Sequence, residues 1–419
     1  MARNAFFAPL ISLGIAGGGA VLALLVDVIL ARTMGASDFG VYRYLTSIII
    51  LMSVIGSYGS SQYGIIISSN FKKLKGAFFS HFLSVGVCVF SITVIAGLLS
   101  IAVVVLSGGI VDFLYIAPLV FVSVLFRSSY IFIRAVLIGW GRFLIAQLAD
   151  RLFLNTFLIL FFVACYFSNI EINLSVALLA FSIALILSCF IVLLFFNAGR
   201  KAFVWTDKIR ANRVRLAFTR LSYISASEIV ETFIRIGVLV FAGAVMGFED
   251  LAVLAILVRL YDLSGLISSS AASYFSPVIS REIKSGIKLN GAKNAAKFTA
   301  LVMFAVALLG SAFSSEIIGV FGEGYTKYSW LLVVVIWSGF FRSLLGPANT
   351  VLVFSGAGSV LFRINLINAL ILILGVFALG SFYGLVGVIG VFLFAQILSA
   401  LLCSIVVYRN LNQYVGVAL

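Results

Sequence analysis

Eleven ionisable side chains lie inside long apolar runs of this 419-residue chain: Asp27, Arg127, Arg134, Asp150, Arg151, Glu228, Glu231, Arg235, Arg259, Asp262 and Arg342. A charge held in hydrocarbon costs several kcal/mol, with about 2.5–3.5 kcal/mol at the low end for Arg or Asp at a helix centre. Such a residue is normally paired, turned towards water, or used. Two combinations are local. Glu231 and Arg235 stand four apart in the order that favours an intrahelical ion pair, and Arg259 and Asp262 stand three apart. Arg134, Asp150 and Arg151 fall near the ends of apolar runs, where a side chain can reach the interface. Arg127 and Arg342 have no acid within a helical turn. A guanidinium presents a planar fork of donors that matches phosphate, so these two invite bidentate binding of a phosphorylated anion, with Arg134 as a third contact. Pairing with Asp27 or Glu228 from a neighbouring helix is the purely structural alternative. Asp27 and Glu228, as acids in apolar surroundings, are suited to reversible binding of a coupling H+ or Na+. Cys88, Cys165, Cys189 and Cys403 lie in apolar runs without metal-ligand or redox spacing, and His81 is the single histidine. Neither a metal centre nor a cofactor is expected.

Helices must hold these charges at depth. Hydrophobic residues make up 63% of the chain and charged ones 10%, with a mean hydropathy of +1.23. A soluble domain is about 45–50% apolar and about 25% charged. That contrast excludes a soluble enzyme, a disordered chain and a secreted disulfide scaffold. Inside lipid only helices or closed barrels satisfy the backbone, and the unbroken apolar runs lack the alternation of a barrel. At about 20 apolar residues per crossing, the sequence reads as an all-α integral membrane protein of about 12 spans. They fall near 8–31, 41–66, 78–106, 113–137, 144–167, 174–198, 219–244, 251–276, 294–318, 329–354, 361–381 and 385–408. The eighth is expected to end at Pro277. The first apolar run is too long for a cleavable signal peptide.

Charge sets the orientation. With a cytoplasmic N-terminus, 19 of the 28 Lys and Arg fall on the cytoplasmic side, and only Arg32, Arg43 and Lys327 on the other. That asymmetry is a strong positive-inside pattern and makes both termini cytoplasmic. The net charge of +14 therefore reflects topology and affinity for anionic membrane lipids, not nucleic acid.

The spans repeat. Phe126-Arg127-Ser128, Val136-Leu137-Ile138 and Gly141 recur 215 positions later as Phe341-Arg342-Ser343, Val351-Leu352-Val353 and Gly356. Gly35-Ala36-Ser37-Asp38-Phe39-Gly40 faces Gly247-Phe248-Glu249-Asp250-Leu251-Ala252 at an offset of 212. These offsets predict a bundle of six helices over 1–198, a basic cytoplasmic linker over 199–218 that can form an amphipathic surface helix, and a second bundle over 219–419. An even number of spans per half makes the repeat parallel, with a pseudo-two-fold axis along the membrane normal. Arg127 and Arg342, being equivalent, are expected to face one another across it.

The run Leu30-Ala31-Arg32-Thr33-Met34-Gly35-Ala36-Ser37-Asp38-Phe39-Gly40-Val41-Tyr42 resembles the first-span signature of Wzx-type polysaccharide flippases. Gly141-Arg142-Phe143, Pro277-Val278-Ile279-Ser280 and Phe321-Gly322-Glu323-Gly324-Tyr325 are similar to shorter turns of that family, in the same order. The resemblance implies the multidrug/oligosaccharidyl-lipid/polysaccharide (MOP) superfamily fold, two six-helix bundles in a V. It also implies an activity: alternating-access transfer of undecaprenyl-pyrophosphate-linked oligosaccharide units (O-antigen, capsule and similar polymers) across the bacterial inner membrane, alongside a polysaccharide polymerase and chain-length machinery. A cation-coupled multidrug exporter of the same superfamily is the rival reading; it calls for an acid-dominated cavity. A membrane enzyme of glycan assembly is a third. It calls for a sizeable extramembrane domain, for which the periplasmic loops of about ten residues or fewer leave no room. No catalytic residues are expected.

Overall fold

The computed structural model describes residues 2–61, 75–106, 113–140, 142–198, 226, 229–285, 290–355 and 357–409. Among them there is no strand. The helices are α1 (Ala2–Ser57), α2 (Lys75–Leu106), α3 (Phe113–Gly139), α4 (Phe143–Leu148), α5 (Leu154–Phe167), α6 (Leu174–Ala198), α7 (Val238–Ala242), α8 (Phe248–Ser285), α9 (Asn290–Ala312), α10 (Ser314–Gly319), α11 (Ser329–Leu344), α12 (Ala348–Phe354) and α13 (Gly358–Arg409). Among the described residues eight helical segments are long and apolar enough to cross a membrane, and the protein is a multi-pass membrane protein. Two of the eight each contain a pair of expected spans. α1 turns at Gly35 (φ 79°) and α13 at Gly384 (φ 55°), left-handed backbone that glycine adopts without a Cβ clash.

Several expected spans are not the plain helices anticipated. The span over 329–354 is broken: α11 stops at Leu344, Gly346 takes φ 71°, and α12 restarts beyond Pro347. Its repeat partner α3 runs unbroken, because positions 131 and 132 carry Ile and Phe where the second half has Gly and Pro. The span over 294–318 ends at Ala312, and Phe313 (φ −110°, ψ 26°) separates it from α10. α8 does not end at Pro277 but continues to Ser285. Two π-turns, Ala149–Phe153 and Phe233–Gly237, interrupt the helical register. The expected linker over 199–218 lies outside the described residues.

The chain divides into two compact units, one of Gly18–Val26 and Val41–Val240, the other of Met1–Gly17, Asp27–Gly40 and Phe241–Leu419. In the former, α3 packs between α2 and α6, around Val85, Val89, Tyr130, Ile133, Leu137 and Cys189. Small and hydroxylated residues bring backbones together there, as is usual where lipid removes the hydrophobic drive between helices. The Ser128 hydroxyl donates to the Ser53 carbonyl (3.1 Å), Thr93 to that of Gly56 (3.1 Å), and Ser123 and Ser182 share a bond (2.8 Å). Of the glycines in the first span, Gly14 and Gly17 have open space beside them, whereas a Cβ on Gly19 would strike the Arg151 backbone. In the other unit α9 packs against α8 and α11, and α12 against α13. The two halves of α13 fold against each other about Gly384, with Gly375 under Val391 and Gly380 under Val388.

Candidate functional site

Arg342 occupies the last turn of α11, two residues before the break, and is half-buried. It is therefore not mid-helix, as the unbroken span implied. The break puts the guanidinium at a helix C-terminus, where the partial negative charge of unsatisfied carbonyls favours a cation. Its Nη1 donates to the Tyr261 hydroxyl at 3.2 Å. Tyr261 is 3% exposed, with its ring set edge-on to Phe392 at 5.2 Å between centroids. Among the described residues no carboxylate lies within ion-pair distance of Arg342.

Asp27 behaves differently. It is buried, and Arg259 from α8 places Nε 3.4 Å from its Oδ2. Arg259 thus reaches across to α1, a contact that its spacing from Asp262 did not suggest. Asp262 is half-buried on the same helix. The segment carrying Asp27 is held further along by Arg32, whose Nε donates to the Val320 carbonyl (2.7 Å) and Nη2 to that of Gly319 (3.4 Å) at the end of α10. Gly40 closes it: a Cβ there would collide with the Phe248 carbonyl, the first turn of α8. The Arg-to-Phe-Gly run in this segment is thus a structural clamp, with Phe39 1% exposed in the core.

In the other unit Arg127 sits midway along α3 and Arg134 seven residues on. Both are half-buried, and with Ile131 and Ile138 they line one face of α3. The opposite side, including Val120, Val124 and Ser128, is buried. Arg151 is exposed in its π-turn. The expected ion pair between Glu231 and Arg235 is not closed: both are exposed and make no bridge to each other. The π-turn Phe233–Gly237 carries Arg235 and shifts the four-residue spacing out of register. Glu228 lies outside the described residues.

Two residues escaped notice in the sequence. Tyr261 sits in an apolar run where an aromatic reads as core, and only its hydrogen bond from Arg342, 81 positions away in sequence, sets it apart. Asn368 is fully buried in α13, and neither of its amide atoms has a partner among the described residues. A polar residue in a predicted span was the available signal. Cys165, Cys189 and Cys403 are buried free thiols, and no metal-binding cluster occurs among the described residues.

No protein-family model matches the chain, and no curated protein matches it. Solved structures do. A multidrug resistance MATE family transporter of the MOP superfamily, inward-facing, aligns over 97% of this chain and 98% of its own, with a TM-score of 0.70 and 13% identity. The lipid II flippase MurJ, in an inward closed conformation, aligns over 97% and 89%, with a TM-score of 0.69 and 18% identity. The eukaryotic MATE transporter AtDTX14 aligns over 99% and 98%, with a TM-score of 0.59 and 14% identity. At these identities the likeness is one of fold, and the chain has the all-helical fold of MOP transporters.

Proposed function

We propose that this protein is a flippase of the Wzx type, which moves a polyprenyl-pyrophosphate-linked oligosaccharide from the cytoplasmic to the periplasmic leaflet of a bacterial inner membrane. The observation that carries the reading is Arg342: a half-buried guanidinium at a helix end, oriented by a neutral phenol and left with its full charge. An arginine placed in a membrane protein for stability alone is normally given a carboxylate, and Arg259 has one in Asp27. Arg342 is instead ready for an anion, and Arg127 and Arg134 supply a second cationic face on α3. In this account the cationic faces carried by Arg342 and by Arg127 and Arg134 become accessible alternately from either side of the membrane. The pyrophosphate binds the arginines, and the prenyl chain stays in lipid.

Coupling to H+ or Na+ falls to Asp27 or Glu228. An ion at Asp27 competes with Arg259 for the same carboxylate, so binding there loosens the clamp between α1 and α8. The likeness to multidrug transporters in fold is as close as that to MurJ, and it is the charge pattern that supports the anionic substrate. A pump for cationic drugs is served by buried acids free of a cation, whereas the buried Asp27 is paired with Arg259 and Arg342 is a cation without an acid among the described residues. The test is transfer of a pyrophosphate-linked glycolipid between leaflets of vesicles holding the purified chain. Transfer lost in Arg342→Ala and Arg127→Ala supports the reading; wild-type transfer in both overturns it.

A further inference from the structure

We infer that the Tyr261 hydroxyl is itself a ligand of the anion, forming with Arg342 a two-donor subsite for one phosphate. The inference rests on the reading of Arg342 as a substrate residue and names its partner. A phenol hydroxyl has one hydrogen to give and lone pairs to receive with. The Arg342 Nη1 takes one lone pair at 3.2 Å. No acceptor for the phenol hydrogen occurs among the described residues. Tyr261 is nevertheless 3% exposed, and a buried hydroxyl that gives nothing carries an uncompensated desolvation cost. The guanidinium beside it likewise has no acid. Two donors thus converge where nothing accepts, and an anionic oxygen completes both.

The hydroxyl is held rigidly enough to act as a ligand. The ring stands at 77° to Phe392, and the Ser264 hydroxyl bonds the Tyr261 carbonyl at 2.6 Å. On the other side the Leu345 N–H fixes the Arg342 carbonyl at 3.2 Å, where α11 ends. A neutral phenol in this role orients the arginine without cancelling its charge. A carboxylate in the same place would fill the site with its own anion.

The experiment is titration calorimetry of inorganic pyrophosphate into the purified full chain, for wild type, Tyr261→Phe, Arg342→Ala and the double variant, at two salt concentrations. Tyr261→Phe keeps the ring on Phe392 and removes only the bond to Arg342, so the melting temperature should fall by no more than a few degrees. It should weaken pyrophosphate about tenfold or more, as loss of a hydrogen bond to a charged group does. Because the hydroxyl is neutral, the salt dependence should stay that of wild type, whereas Arg342→Ala should flatten it. In the Arg342→Ala background Tyr261→Phe should still cost affinity, since a direct ligand keeps part of its contact. No further loss in that background would mean that Tyr261 only positions Arg342, and the ligand role would be overturned. Unchanged affinity in Tyr261→Phe overturns it as well. If Arg342→Ala itself leaves pyrophosphate binding intact, the substrate reading fails first, and this inference with it.

Discussion

Replacing Arg342 separates a residue kept for function from one kept for the fold. Alanine removes three things: the bond to Tyr261 at 3.2 Å, the favourable placement at the end of α11, and a charge in the membrane. A hydrogen bond to a charged group contributes about 1.5–3 kcal/mol, and a cation at a helix C-terminus about 0.3–1 kcal/mol. Against these stands about 2.5–3.5 kcal/mol recovered by taking an arginine out of hydrocarbon. The terms nearly cancel, so Arg342→Ala should shift stability by no more than about 1–2 kcal/mol, a few degrees in melting temperature. Transport should respond far more strongly. Two charge-assisted bonds to a pyrophosphate amount to about 3–6 kcal/mol, or about 10²–10⁴-fold in affinity. Arg342→Lys keeps the charge, loses the fork and should retain partial transfer. The assay pairs thermal unfolding in detergent with leaflet transfer in vesicles. A large drop in melting temperature, of the size that breaking a buried ion pair produces (about 3–5 kcal/mol), with transport falling only in proportion, would refute the reasoning.

Other perturbations probe the frame around that site. Asp27→Asn takes from Arg259 the carboxylate at 3.4 Å; the Arg259 side chain is 31% exposed, so the cost should fall short of that for a fully buried pair, at about 1–2 kcal/mol, and adding Arg259→Gln should restore most of it, as thermal unfolding of the three variants will report. Gly40→Ala forces a Cβ into the Phe248 carbonyl and should cost more than about 2 kcal/mol. Gly35→Ala meets no neighbouring atom, so its cost is of the backbone alone, about 1–3 kcal/mol for a φ 79°, ψ 169° conformation that is essentially glycine's; unchanged stability in Gly40→Ala would contradict the clamp between α1 and α8. Asn368→Leu removes two buried amide atoms that lack partners and should be neutral or stabilising by about 1–2 kcal/mol; marked destabilisation would show that the amide is satisfied in the working protein.

The span count and the all-helical class were legible because lipid permits few alternatives, and twenty-residue apolar runs survive any detail of packing. Where spans break was less legible. A Gly-Pro pair such as Gly346-Pro347 permits bending, but whether a helix bends or stops outright depends on the left-handed turn at Gly346, which apolar periodicity does not report. Prolines misled in the other direction, since α8 runs past Pro277. Local spacing was an incomplete guide to ion pairs. Arg259 meets Asp27, 232 positions away, because the Asp27–Gly40 stretch of α1 lies against α8, and Glu231 misses Arg235 because a π-turn changes the count of residues per turn. The first-span motif drew notice as a family signature. Its Arg32, Gly35, Phe39 and Gly40 have distinct physical jobs that a list of letters hides: two carbonyl bonds, a left-handed turn, a core ring and a close backbone approach.

The central claim is that the chain carries a pyrophosphate-linked glycan across the membrane. The most direct measurement extracts lipid-linked oligosaccharides from cells lacking this chain and asks which leaflet holds them, with surface polymer quantified alongside. The account predicts completed units trapped on the cytoplasmic leaflet and surface polymer lost, both restored by the wild-type chain and not by Arg342→Ala. Units reaching the periplasmic leaflet in the absence of the chain would contradict it.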